Sequence, residues 1–184
     1  MRLIKTIMQN VKILEPQTFE DERGCFYESY NQNSFNKIIG KKISFVQDNH
    51  SISKIGVLRG LHFQTSPFAQ AKLVRVVKGK IFDVAVDIRR SSPTFGEWFG
   101  ITISSENKKM IWIPEGFAHG FLALSETVEV NYKTSDYYQP NHEKTIKWDD
   151  PSIKINWPLK LLPIQSTKDF KAQSFKELLK QGVF

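Results

Sequence analysis

A chain of 184 residues with 14 phenylalanines and 40% apolar content can bury a real core, which excludes a disordered tail. Its single cysteine, Cys25, excludes an internal disulfide and fits a reducing compartment, while a formal charge of +7 favours an anionic partner. The basic residues are spread along the chain with no Lys/Arg tract, so that partner reads as a small phosphorylated molecule and not as nucleic acid.

From the N-terminus, MRLIKTIMQNVKIL is broken by Lys5, Gln9 and Lys12, and no later stretch reaches membrane-spanning length. A cytoplasmic protein with no membrane partner is expected. RGCFYES places the Cys25 thiol away from any candidate base, which makes it a bystander. NQNSFNKII predicts one or two helical turns, and ISFVQDN a strand. GVLRGLHFQ, residues 56–64, is anomalous: Val57, Leu58, Leu61 and Phe63 read as core, yet Arg59 and His62 sit among them. Burying a charge without partners is expensive, so these two need a reason to be there.

AKLVRVVKGK ends in a Lys-Gly turn signal and predicts a hairpin with KIFDVAVDI. In the second strand Phe82, Val84, Val86 and Ile88 alternate with Ile81, Asp83, Ala85 and Asp87, the pattern of a half-buried strand. WFGITIS, KMIWIP and VEVNYKT predict further strands, and WDDPSIKINWP a loop with one brief strand. SFKELLKQ predicts a short helix capped by Ser174. No repeat or linker divides the chain, so residues 1–184 read as a single all-β domain, a sandwich or barrel with a few short peripheral helices.

Two chemistries compete for His62. Jelly rolls that hold a metal commonly supply an H-x-H pair followed by Glu; here the pair position reads HFQ and Gln70 stands where an acid is wanted. His62 and His119 alone are too few donors for a catalytic divalent site. An acid–base site needs a base of near-neutral pKa, roughly 6.5 for an ordinary imidazole, and a cation beside the developing enolate oxygen. Lys72, on a strand expected to pair near the His62 segment, supplies the cation, and Tyr132 a phenol for the opposite face. The carboxylate that orients the imidazole is Asp83, Asp87 or Asp169, and spacing does not choose among them.

DERGCFYESY, FVQDNHSISKIGVLRGLHFQ, AQAKLVRVVKGKIFDVAVDIRRSSPTFGEW, IPEGFAHGFLALS and YKTSDYYQPNHEKTIKWDDPSIKINWP resemble, in order and spacing, the dTDP-4-dehydrorhamnose 3,5-epimerase family. The resemblance runs from about residue 3 to residue 170 and leaves 171–184 with no assigned role. It implies a cupin-type jelly roll (a double-stranded β-helix), no metal or other cofactor, a homodimer, and a dTDP-sugar substrate. The implied isomerase inverts C3 and C5 of dTDP-4-dehydro-6-deoxy-D-glucose in dTDP-L-rhamnose biosynthesis; a C3-only epimerase shares the same machinery.

Carried over by position, the resemblance makes His62 the base, Asp169 its orienting carboxylate, Tyr132 the acid and Lys72 the partner of the enolate oxygen. Arg59 and Lys168 become contacts to the phosphate or sugar side, with Gln47, Asn49, His119 and Glu143 as further binding residues. Tyr138 stacks on thymine, and Arg23 and Glu28 cross the dimer interface to the partner's site. Gly60 then makes room either for ligand or for a bulge. Phe26 reads as a core aromatic, with lining of the nucleotide site as the alternative. A metal-dependent cupin oxygenase or isomerase, and a sugar-binding barrel without chemistry, are the competing readings; the first lacks its ligands, and the second leaves the acid–base set without purpose.

Overall fold

The computed structural model describes residues 1–8 and 10–184; Gln9, one of the breaks in the N-terminal apolar run, lies outside them. The short alternating segments form thirteen strands among the described residues. The first four are β1 (Arg2–Ile7), β2 (Val11–Glu15), β3 (Thr18–Asp21) and β4 (Gly24–Tyr27). After helix α1 (Gln32–Ile39) come β5 (Gln47–Lys54), β6 (Leu58–Gln64), β7 (Lys72–Lys78) and β8 (Lys80–Asp87). Then follow β9 (Trp98–Ser104), β10 (Met110–Ile113), β11 (Phe117–Ala123), β12 (Thr127–Thr134) and β13 (Glu143–Thr145), and helices α2 (Thr167–Phe170) and α3 (Phe175–Lys180).

The strands pair antiparallel into a six-stranded sheet, β1-β2-β10-β7-β12-β5, and a five-stranded sheet, β13-β6-β11-β8-β9, with β3-β4 as a separate hairpin. The two large sheets face each other, and their inward aliphatic side chains, among them Val74, Val130, Ile81 and Ala85, fill one end of the space between them. The expected all-β jelly roll with short peripheral helices is the observed architecture. Among the described residues no helix is long and apolar enough to cross a membrane.

The expected hairpin of AKLVRVVKGK with KIFDVAVDI does not form. Gly79, at φ 78°, is the single residue between β7 and β8, and the chain there passes from one sheet to the other. Both edges of β7 are taken by β10 and β12, and both edges of β8 by β11 and β9. Nor is β8 half-buried. Phe82, Val84, Val86 and Ile88 lie under the C-terminal segment while Ile81 and Ala85 face the interior, which leaves Asp83 and Asp87 fully buried.

ISFVQDN becomes a strand only from Gln47. Phe45 leaves the sheet to join Tyr30, Phe35 and Trp112 in an aromatic cluster that seats α1 on the outer face. WDDPSIKINWP is loop throughout. Ser174 caps α3 as expected, in a reciprocal capping box with Glu177. Residues 171–184, given no role from sequence, cover the five-stranded sheet: Phe175 and Leu178 are buried, and Phe184 stacks on Phe175 and meets Phe63. Phe26 is 72% exposed, which corrects its reading as core.

A bulge in β6 resolves the anomaly of GVLRGLHFQ. Arg59 and His62 are three residues apart, an odd separation that sends side chains to opposite faces of a regular strand. The β11–β6 register shifts between His119 and Phe121, and Gly60 occupies the kink at φ +127°. A Cβ on Gly60 would lie 2.5 Å from the Gly120 Cα, so the glycine makes room for β11 and not for ligand. Beyond the kink the alternation changes phase. Leu58 and Leu61 both turn outward, and Arg59 and His62 both turn inward.

Candidate active site

Between the sheets, at the end the aliphatic core leaves open, is a cavity of about 340 Å³. Its walls carry ten of the expected positions: Gln47, Asn49, Arg59, His62, Lys72, His119, Tyr132, Tyr138, Glu143 and Lys168. Ser51, Gln64, Gln70, Phe121 and Thr134 also line it and were not singled out for a binding role by sequence. For Ser51 and Gln64 the available signal was their phase: each lies an even number of residues from a flagged position on its own strand.

Of the three candidate carboxylates, Asp169 serves His62. The His62 Nε2 and Asp169 Oδ1 are 2.5 Å apart, and the Ser166 hydroxyl donates to the other carboxylate oxygen at 2.9 Å. Ser166 also caps α2 by accepting from the Asp169 amide, so one side chain fixes both the helix start and the carboxylate. Burial pushes the Asp169 carboxyl up, but the hydrogen bonds and charge of His62, with Ser166, outweigh it and hold the group below the usual carboxylate range. An ionised Asp169 accepts a hydrogen bond from Nε2–H, which keeps that proton on the ring and leaves Nδ1 as the basic nitrogen of His62. Asp83 instead holds His119 Nε2 at 3.0 and 3.1 Å, and Asp87 ties Arg89, Ser92 and Thr94. Burial pushes the His119 pKa down, with Asp83 only partly offsetting it, so that ring is neutral.

Lys72 does not pair with the His62 strand, since β7 and β6 belong to different sheets. It reaches across the cavity instead, with Nζ 3.5 Å from the His62 carbonyl oxygen. At 9% exposure, that one long contact leaves the ammonium poorly solvated. Burial lowers its pKa to about 8, against the opposing pull of Glu143 and Asp83. Tyr132 stands on the six-stranded sheet and His62 on the five-stranded one, so phenol and imidazole approach the cavity from opposite walls. Burial, aided by the Glu143 charge, raises the Tyr132 pKa and keeps the phenol protonated.

Arg59 is exposed, which corrects its reading as a buried guanidinium. Its Nε donates to Ser53 Oγ at 3.0 Å and its Nη2 to the Ile52 carbonyl at 3.2 Å, both neutral acceptors that leave its charge for a ligand. Glu143 accepts from the Tyr138 hydroxyl at 2.7 Å and from Lys168 at 2.8 Å; burial raises its pKa, but those bonds together with the charges of His62 and Lys168 bring it below the usual carboxylate range. The loop carrying the half-exposed Tyr138 is clamped by two glutamines. Gln64 bonds the Tyr137 carbonyl and the Gln139 amide, and Gln47 accepts from the Tyr138 amide.

Arg23 and Glu28 stand apart from this chain's own cavity. Arg23 pairs with Asp21 at 2.6 Å beside the exposed β3–β4 hairpin, and Glu28 accepts from Asn31. Cys25 is exposed on β4, away from the cavity. Among the described residues no three His, Cys, Asp or Glu side chains converge as metal donors.

A family model described as dTDP-4-dehydrorhamnose 3,5-epimerase matches residues 5–177. The chain belongs to the dTDP-4-dehydrorhamnose 3,5-epimerase family. Within the family it is 56% identical over 179 residues to an epimerase of that name from Salmonella typhimurium, covering 97% of this chain and 98% of the relative. A crystal structure of a 3,5-epimerase from Legionella pneumophila in complex with dTDP-4-keto-L-rhamnose superposes with a TM-score of 0.92 at 48% identity, covering 95% of this chain and 93% of that one. A 3'-monoepimerase from Streptomyces bikiniensis in complex with dTDP-quinovose shares the fold at TM-score 0.90 but only 31% identity, over 95% of this chain and 88% of that one. The family's cupin-type jelly roll is therefore the fold of this chain.

Proposed function

We propose that this chain is a dTDP-4-dehydrorhamnose 3,5-epimerase, converting dTDP-4-dehydro-6-deoxy-D-glucose to dTDP-4-dehydro-L-rhamnose as a single domain and without a cofactor. The observation that carries the reading is a carboxylate-oriented imidazole and a protonated phenol facing each other across one cavity, with a poorly solvated ammonium between the sheets.

C3 and C5 both flank the C4 ketone, so one carbonyl acidifies both C–H bonds. His62 Nδ1 takes the proton, and the electron pair moves onto the C4 oxygen as an enolate. The Lys72 ammonium stabilises that oxygen, and because it is already desolvated it needs little reorganisation as the charge develops. Tyr132 then protonates the same carbon from the other face, which inverts it. Solvent exchange returns the proton to Tyr132 and removes it from His62. Arg59 and Lys168 neutralise the diphosphate, and Tyr138 offers its ring to thymine.

In D₂O the product should carry deuterium at both C3 and C5 by NMR. Unlabelled sugar overturns the reading, and label at C3 alone selects the monoepimerase. The identity to 3,5-epimerases, higher than to the monoepimerase, favours label at both. Dialysis against EDTA should leave the rate unchanged. We further propose that a second copy covers the exposed β3–β4 hairpin, with its Phe19 and Phe26, and that Arg23 and Glu28 act in the partner's cavity.

A further inference from the structure

The inward side of β5 presents Gln47, Asn49, Ser51 and Ser53 in alternation, while Asp48, His50, Ile52 and Lys54 point outward. Three of the four inward side chains are engaged: Gln47 donates to Asn49 and accepts from Tyr138, and Ser53 holds Arg59. Ser51 is the exception. Its Oγ is shut off from bulk water and makes no hydrogen bond among the described residues, although the residue lines the cavity. A desolvated hydroxyl without a partner costs stability, and folded chains retain one where a ligand or ordered water completes it.

The surroundings say which ligand atom that is. On β12 the register partner of Ser51 is Val130, an apolar residue that offers no side-chain acceptor. The next two residues along β5 provide the acceptors that hold the guanidinium, the Ile52 carbonyl and the Ser53 hydroxyl. Ser51 is thus the inward neighbour, two residues along the same strand, of the Ser53 hydroxyl that seats Arg59, where an anion gripped by Arg59 would present its remaining oxygens. We propose that the Ser51 hydroxyl donates to a non-bridging oxygen of the substrate's diphosphate beside Arg59, making it a binding residue for the phosphate group. This rests on the nucleotide-sugar reading above.

Calorimetric titration of dTDP and of thymidine into wild type, Ser51→Ala and Ser51→Cys tests it. A hydrogen bond to a charged acceptor predicts that Ser51→Ala weakens dTDP at least about tenfold, with Ser51→Cys between the two. Thymidine, which lacks phosphate, should bind all three equally, and the melting temperature of the free Ser51→Ala protein should not fall. An unchanged Kd for dTDP in Ser51→Ala overturns the proposal. So does an unchanged dTDP affinity with a raised KM for the sugar substrate, which would move the contact to the hexose. Equal weakening of both ligands with a lowered melting temperature would make Ser51 structural. Failure of wild type itself to bind dTDP would instead remove the nucleotide-sugar reading on which the assignment stands.

Discussion

Lys72 couples chemistry to stability with opposite signs. In the free protein its ammonium is lost as pH rises through about 8, so kcat/KM should fall above that value as enolate stabilisation disappears. Stability should move the other way. An unfolded lysine still holds its proton up to about 10.4, so between pH 8 and 10 the unfolded chain binds more protons and folding strengthens with pH. The gain across that window is on the order of 3 kcal/mol, because burial takes the lysine from its ordinary pKa of 10.5 to about 8. Urea unfolding at several pH values should show this slope in wild type and its absence in Lys72→Met; equal slopes would refute it. Asp169→Asn should lower kcat by about 10² or more, with little change in dTDP affinity, because a carboxamide no longer enforces the Nε2–H tautomer. His62 and Arg59 were legible in the sequence because polar groups stood in an apolar run. Spacing alone could not choose Asp169, which lies 107 positions from His62; the family resemblance named it, and the structure brings the two together.

The β6 bulge and the Tyr138 loop carry predictions of their own. Gly60→Ala must fit a Cβ 2.5 Å from the backbone of Gly120 at a φ that L residues avoid. A loss of about 2 kcal/mol or more is expected by urea denaturation, with a kcat loss as Arg59 and His62 fall out of phase. Gln64→Leu keeps the buried volume but frees the Tyr137 carbonyl and Gln139 amide. Calorimetry should show weaker dTDP binding, while kcat at saturation stays within a few-fold. Element identity was read well where the alternation was long, as in WFGITIS and VEVNYKT. The β7–β8 hairpin was misread because period-two alternation and a glycine describe a turn equally well within a sheet or between sheets. The choice is made by which strands already occupy the edges.

Across the whole molecule, the C-terminal segment is the outer cover of the catalytic sheet. Phe175→Ala should cost about 3–5 kcal/mol and Leu178→Ala about 2–5, since both side chains are buried on the outer face of the five-stranded sheet. Thermal unfolding checks both, and unchanged melting temperatures would show the cover to be dispensable. Light scattering should give twice the mass of one chain. If Arg23 acts across the interface, mixing inactive His62→Ala with inactive Arg23→Ala subunits should restore part of the activity, whereas sites complete within one chain would recover none.

The sequence by itself determined the chemistry-bearing side chains and the strand-rich class, because residue type and alternation are local properties of the chain. Only the tertiary structure decided that Lys72 reaches its site from the facing sheet and that Arg59 lies exposed, and it brought His62 onto Asp169 where spacing left three carboxylates open. Those depend on which segments, far apart in the chain, become neighbours when two sheets close on a common core. That closure satisfies burial and hydrogen bonding across the whole fold at once, and no single stretch of sequence encodes it.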